Sequence, residues 1–86
     1  MQPNTYPVLH TLQAQNGSQR VMFIVKDGMA SINWSYMINS DFVMSESMAV
    51  PDTTIVIRAN TPVSLDIARM VWRKFRSLHW SLLNEQ

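Results

Sequence analysis

The spacing of hydrophobic residues changes part-way along this chain. From Tyr6 to Ala59 they alternate with polar residues or run together over short stretches, and from Val63 to Leu83 they recur every three to four residues. The first habit is that of β-strands, whose side chains alternate between two faces. The second is that of an α-helix with one apolar side.

Within the first part, Tyr6 to Gln15 alternates, with Tyr6, Val8, His10, Leu12 and Ala14 on one face, and predicts a first strand. Asn16-Gly17 follows as a turn, because both residues tolerate positive φ. Arg20 to Lys26 is apolar on both faces, which predicts a strand in the middle of a sheet. Asp27-Gly28 is the strongest hairpin signal, since a type I′ turn suits the right-handed twist of the flanking strands. In the next strand Ala30, Ile32, Trp34, Tyr36 and Ile38 form an apolar face, while Ser31, Asn33 and Ser35 form a face for solvent or a partner. Trp34 and Tyr36 are expected in the core, as are Met22 and Met44. Asn39-Ser40-Asp41 breaks the pattern. Phe42 to Val50 reads as a strand, with a short helix capped by Ser40 as the alternative. Pro51-Asp52 is a turn, and Thr53 to Ala59 is a strand rich in β-branched residues.

The second part predicts one long helix over residues 62–84. Thr61 stands as its N-cap and Pro62 at its first position, where the missing N–H has no intrahelical use. Asp66 meets the positive end of the helix dipole. Ile67, Val71, Phe75, Leu78 and Leu82 line the apolar stripe, and Ala68, Trp72, His79 and Leu83 widen it for packing on a sheet. Arg69, Arg73 and Arg76 share the opposite face with Trp80 one step further on. Lys74 and Met70 lie on its flank.

The fold class implied is α+β: a four- or five-stranded antiparallel β-meander over residues 6–59, with the C-terminal amphipathic helix packed on one face. Residues 1–5 are polar and expected to be flexible. At 86 residues the chain is one domain. Its 47% hydrophobic and 15% charged content is that of a globular protein. The absence of cysteine rules out disulfides and thiolate metal sites and fits a cytoplasmic protein. No signal peptide and no apolar run of membrane-spanning length is present, so no membrane partner is expected. The net charge of +1 is unevenly placed. Through Asp66 the balance is −2 (Arg20, Lys26 and Arg58 against Asp27, Asp41, Glu46, Asp52 and Asp66); beyond it, Arg69, Arg73, Lys74 and Arg76 against Glu85 give +3.

Catalytic chemistry finds little support. His10 and His79 have no partner ligands for a metal, no serine sits in a nucleophile elbow, and both glycines are used in turns. No cofactor is expected, and the chain is not read as an enzyme. The residues that stand out are Arg69, Arg73, Arg76, Trp80, Lys74 and Met70. Arginine binds carboxylates and phosphates with a planar fork, tryptophan stacks, and methionine adapts its shape. These features predict a small non-catalytic protein that occupies an acidic patch on a partner protein, as an inhibitor or adaptor of the kind phage and mobile elements encode. The alternatives are nucleic-acid binding through the basic helix face and a homo-oligomeric structural subunit.

Overall fold

The computed structural model describes residues 10–83. Four strands, β1 (Thr11–Gln13), β2 (Gln19–Lys26), β3 (Met29–Ile38) and β4 (Asp41–Met44), form an antiparallel meander in the spatial order β4-β3-β2-β1. The apolar β2 is central, as its sequence requires. Its hairpin with β3 closes at Lys26 opposite Met29, so Asp27 and Gly28 alone make the turn. Both have positive φ (55° and 77°), the signature of a type I′ turn. The β3–β4 hairpin repeats this with Asn39 and Ser40, at φ 51° and 72°. The expected first strand is present as β1, while Tyr6–Leu9 and the expected flexible segment 1–5 lie outside the described residues.

The ambiguous stretch 42–50 is extended, and it divides. After β4 the chain turns at Ser45, whose N–H donates to the Trp34 carbonyl (2.8 Å). It then leaves the main sheet as β5 (Ser47–Ala49), which pairs with β6 (Val56–Arg58) in a separate hairpin. Thr53 shapes the tip of that hairpin, its hydroxyl donating to the Val50 carbonyl and accepting from the Ile55 N–H. The strand expected over 53–59 therefore begins later. Folding this hairpin inward buries Met48, Val50 and Ile57, which a flat continuation of the meander would have left in water.

The helix is shorter than its periodicity suggests. Pro62 precedes a two-residue strand, β7 (Val63–Ser64), which pairs with Met29–Ala30 at the open edge of β3. The N-cap is Ser64, not Thr61: its hydroxyl accepts from the Ile67 N–H (3.2 Å), and α1 runs over Leu65–Ser77. At the other end His79 takes φ 70°. Its N–H donates to the Arg76 carbonyl and the Trp80 N–H to that of Phe75, which is a Schellman termination. The Phe75 and Trp80 rings meet edge to face at 4.6 Å across the same turn, the apolar contact that accompanies the motif. The chain then returns as β8 (Ser81–Leu82) to pair with β1. Leu82 and Leu83 thus belong to the sheet edge and not to a helical stripe. His79, expected as a half-buried side chain beside that stripe, is exposed.

The core lies between the inner face of the sheet (Leu12, Val21, Phe23, Ala30, Ile32), the hairpin and the helix, which contributes Ala68, Val71, Trp72 and Phe75. The helical stripe is rotated from the expected one, because Ile67 and Leu78 remain 37% and 39% exposed. Phe23 and Trp72 pack edge to face at 5.2 Å across the helix–sheet interface. Trp34 and Tyr36 are only half-buried, since β3 extends past the end of α1. Met22 and Met44 are exposed on the outer face of the sheet, the reverse of expectation. Asn33, assigned by alternation to that open face, is instead buried. Its amide donates to Asn60 Oδ1 (3.0 Å) and its Oδ1 accepts from the Asn60 N–H (2.8 Å).

Candidate functional site

The helix that closes the core also presents a flank to solvent, and the β5–β6 turn rises beside it. Between them is an open groove of about 280 Å³ lined by Val50, Thr53, Ile55, Met70, Val71, Arg73 and Lys74. Its floor is apolar because the buried core residues Val50 and Val71 line it from beneath. One wall is the helix flank, where a spacing of three and four residues places Met70, Arg73 and Lys74 together. The other is the hairpin tip, held by the Thr53 hydroxyl.

The cations around the helix are not equivalent. Arg69 reaches back to Asp66 at 2.6 Å, and its side chain is only 14% exposed. Arg76 donates from Nη1 to the Trp80 carbonyl (3.0 Å), holding the chain after the helix end. Lys74 pairs with Asp52 across the groove mouth at 3.2 Å. Asp52 sits in the hairpin turn at φ 60° with its side chain mostly in water. Arg73 is exposed and makes no hydrogen bond or ion pair among the described residues. The expected row of guanidinium groups therefore resolves into two that brace local structure and one at the rim of a groove.

Trp80 does not continue that row. The Schellman turn carries it onto Phe75, where it lines a larger groove of about 530 Å³ with Gln19, Trp34 and Met48. The Trp34 indole N–H donates to Gln19 Oε1 (3.1 Å) at its edge. Of the six residues singled out from the sequence, Met70, Arg73 and Lys74 converge on the smaller groove, Trp80 belongs to the larger one, and Arg69 and Arg76 face neither. Sequence reasoning missed Thr53 and Ile55 as groove residues and Asp52 as the partner of Lys74; the Pro51-Asp52 turn was legible, but not the helix face it would meet.

The smaller groove offers a cationic donor fork beside apolar side chains. That arrangement can hold a carboxylate flanked by an aliphatic or aromatic group. Among the described residues no cluster of three or more His, Cys, Asp or Glu side chains could hold a metal ion. No helix among them is long and apolar enough to cross a membrane. The chain is a small single-domain α+β protein with an antiparallel sheet and one packed helix. No family model matches it, and neither a curated protein nor a solved structure does so.

Proposed function

We propose that the chain is a small non-catalytic binding protein, of inhibitor or adaptor type, that occupies an acidic patch on a partner protein through the groove between α1 and the β5–β6 turn. The observation that carries this reading is the exposed Arg73 guanidinium, unpaired among the described residues, beside Met70 and Ile55 at the rim of an apolar depression. Arginine and apolar side chains in a concave, desolvating setting are the usual composition of an interface hot spot. The Lys74–Asp52 pair at the mouth is solvated, worth about 0–1 kcal/mol, so an incoming carboxylate can displace Asp52 at small cost. A nucleic-acid partner has weaker support. Arg69 and Lys74 already face carboxylates, which lowers the positive potential a phosphate backbone would meet.

A labelled panel of peptides pairing Glu with Leu or Phe, titrated by fluorescence anisotropy beside a mixed-sequence oligonucleotide, tests the reading. Peptide binding should weaken by roughly tenfold or more in Arg73→Glu, the loss of one charge-assisted hydrogen bond plus repulsion. Met70→Ser should weaken it less. Binding of the oligonucleotide alone, falling steeply with salt, would replace this reading with the nucleic-acid one.

A further inference from the structure

The helix is too short for the sheet it covers. At about 1.5 Å per residue the 13 residues of α1 span about 20 Å, whereas the ten residues of β3 span about 33 Å. Because β7 ties the start of α1 to Met29 and Ala30, at one end of β3, the shortfall falls toward the other end, where Gln19 pairs with Tyr36. The larger groove, of about 530 Å³, is the notch left there. The sheet supplies Trp34, the helix and the turn after it supply Phe75 and Trp80, and the β5–β6 hairpin supplies Met48, Pro51 and Val56.

Three features specify what this notch would hold. Two of the chain's three tryptophans, Trp34 and Trp80, are left half-buried and both line it, while the third, Trp72, is in the core. Incompletely covered indoles offer ring faces and edges to a planar aromatic guest, which gains more from them than an aliphatic one of the same size. Secondly, no lining residue carries a charge, in contrast to the smaller groove with Arg73 and Lys74. An ion would lose its hydration there without meeting a counter-charge. Thirdly, two hydrogen-bond donors are unused. The Trp34 indole N–H can only donate, so Gln19 faces it with the amide oxygen and leaves its NH₂ group over. Neither that NH₂ group nor the Ser47 hydroxyl, also in the lining, makes a hydrogen bond among the described residues.

We infer that the notch is a binding site for an uncharged, planar aromatic small molecule that bears a carbonyl or similar acceptor. The rings stack the guest, and Gln19 and Ser47 fix its orientation through the acceptor. A mostly apolar lining with a few polar groups, in a volume within about 300–1,000 Å³, is the usual make-up of a small-molecule site. The described chain ends do not fill it. His10 lies opposite Phe23 and Leu83 beside Thr11, so both lead away from Gln19. The site is also separate from the groove beside Arg73, since no residue lines both.

Titration of the isotope-labelled full chain with naphthalene-2-carboxamide, followed through the three indole N–H resonances, provides the test. The Trp34 and Trp80 signals should shift saturably, with a Kd of about 1 mM or tighter for a molecule of this size, while Trp72 stays in place. Naphthalene-2-carboxylate, of the same shape but charged, should bind roughly tenfold more weakly. Decahydronaphthalene-2-carboxamide, of similar size without the π system, should bind about threefold more weakly. Ser47→Ala should weaken binding of the aromatic amide about twofold to tenfold, and Val56→Glu by roughly tenfold or more. Both side chains are exposed, so the far-UV spectrum should not change. Arg73→Glu should bind the amide like the wild type, which separates this site from the one proposed above. Arg58 stands across from Ser47 in β6, outside the lining. A site for anions drawing on it would prefer the carboxylate, and that preference overturns the inference. So does the absence of saturable shifts at Trp34 and Trp80, equal affinity for the saturated amide, or binding indifferent to Val56→Glu.

Discussion

Replacing Asn33 with alanine should destabilise the fold by about 1–2 kcal/mol, although alternation places this residue on a solvent-facing side of β3. The amide makes two hydrogen bonds to Asn60, at 3.0 and 2.8 Å, and joins positions 27 residues apart. Each such bond contributes about 0.5–1.5 kcal/mol net. The upper part of the combined range is not reached, because Asn60 is exposed and water can take over its N–H and side-chain oxygen once Asn33 is shortened. Asn60→Gly removes only the side-chain bond. It keeps the Asn60 N–H on Asn33, and glycine accepts the φ of 57° without strain. A double-mutant cycle of Asn33→Ala with Asn60→Gly should therefore return a coupling of about 0.5–1.5 kcal/mol. Urea denaturation followed by tryptophan fluorescence provides the assay. Thermal midpoints should fall by about 4–8 °C for each kcal/mol lost in a domain of this size. An Asn33→Ala variant within about 0.5 kcal/mol of wild type, or a coupling near zero, would refute the claim that this pair fastens the connection before the helix to β3.

Phe75→Ala should cost about 3–5 kcal/mol, because it empties a core position and strips Trp80 of the ring it packs against. Indole emission should shift to the red at the same time. His79→Gly should stabilise the protein by up to about 1 kcal/mol in the same denaturation assay, since the helix terminates with a left-handed residue there and glycine adopts that conformation without a Cβ penalty. Ser40→Gly should act in the same direction, by a similar about 0.5–1 kcal/mol, at the second position of the type I′ turn. A destabilised Ser40→Gly variant would contradict that turn geometry.

The four-stranded meander and its packed helix were legible from hydrophobic period and turn chemistry alone. Asp27-Gly28 carried its positive-φ requirement in its residue types, and the unbroken apolar run of β2 announced a central strand. The helix ends were not legible, for physical reasons. Thr61-Pro62 is a good start signal locally, but the open edge of β3 captures Val63 and Ser64 in extended form and moves the cap to Ser64. At the other end no glycine marks the stop. His79 takes the left-handed position, and the apolar period runs on by coincidence into Leu82 and Leu83, which pair with β1 instead. Asn33 was misread because alternation knows nothing of a partner that arrives from residue 60. The groove was half legible: Met70, Arg73 and Lys74 share a helix flank in any helix of that register, but the hairpin that walls them in depends on the chain leaving the sheet at Ser45.

The most direct test of the binding reading is to map where an acidic, apolar peptide lands, by amide and side-chain chemical-shift changes on the isotope-labelled protein. The account predicts saturable shifts concentrated at Thr53, Ile55, Met70, Arg73 and Lys74, largely abolished by Arg73→Glu. Shifts confined to the outer face around Met22 and Met44, or none at any attainable concentration, would contradict it.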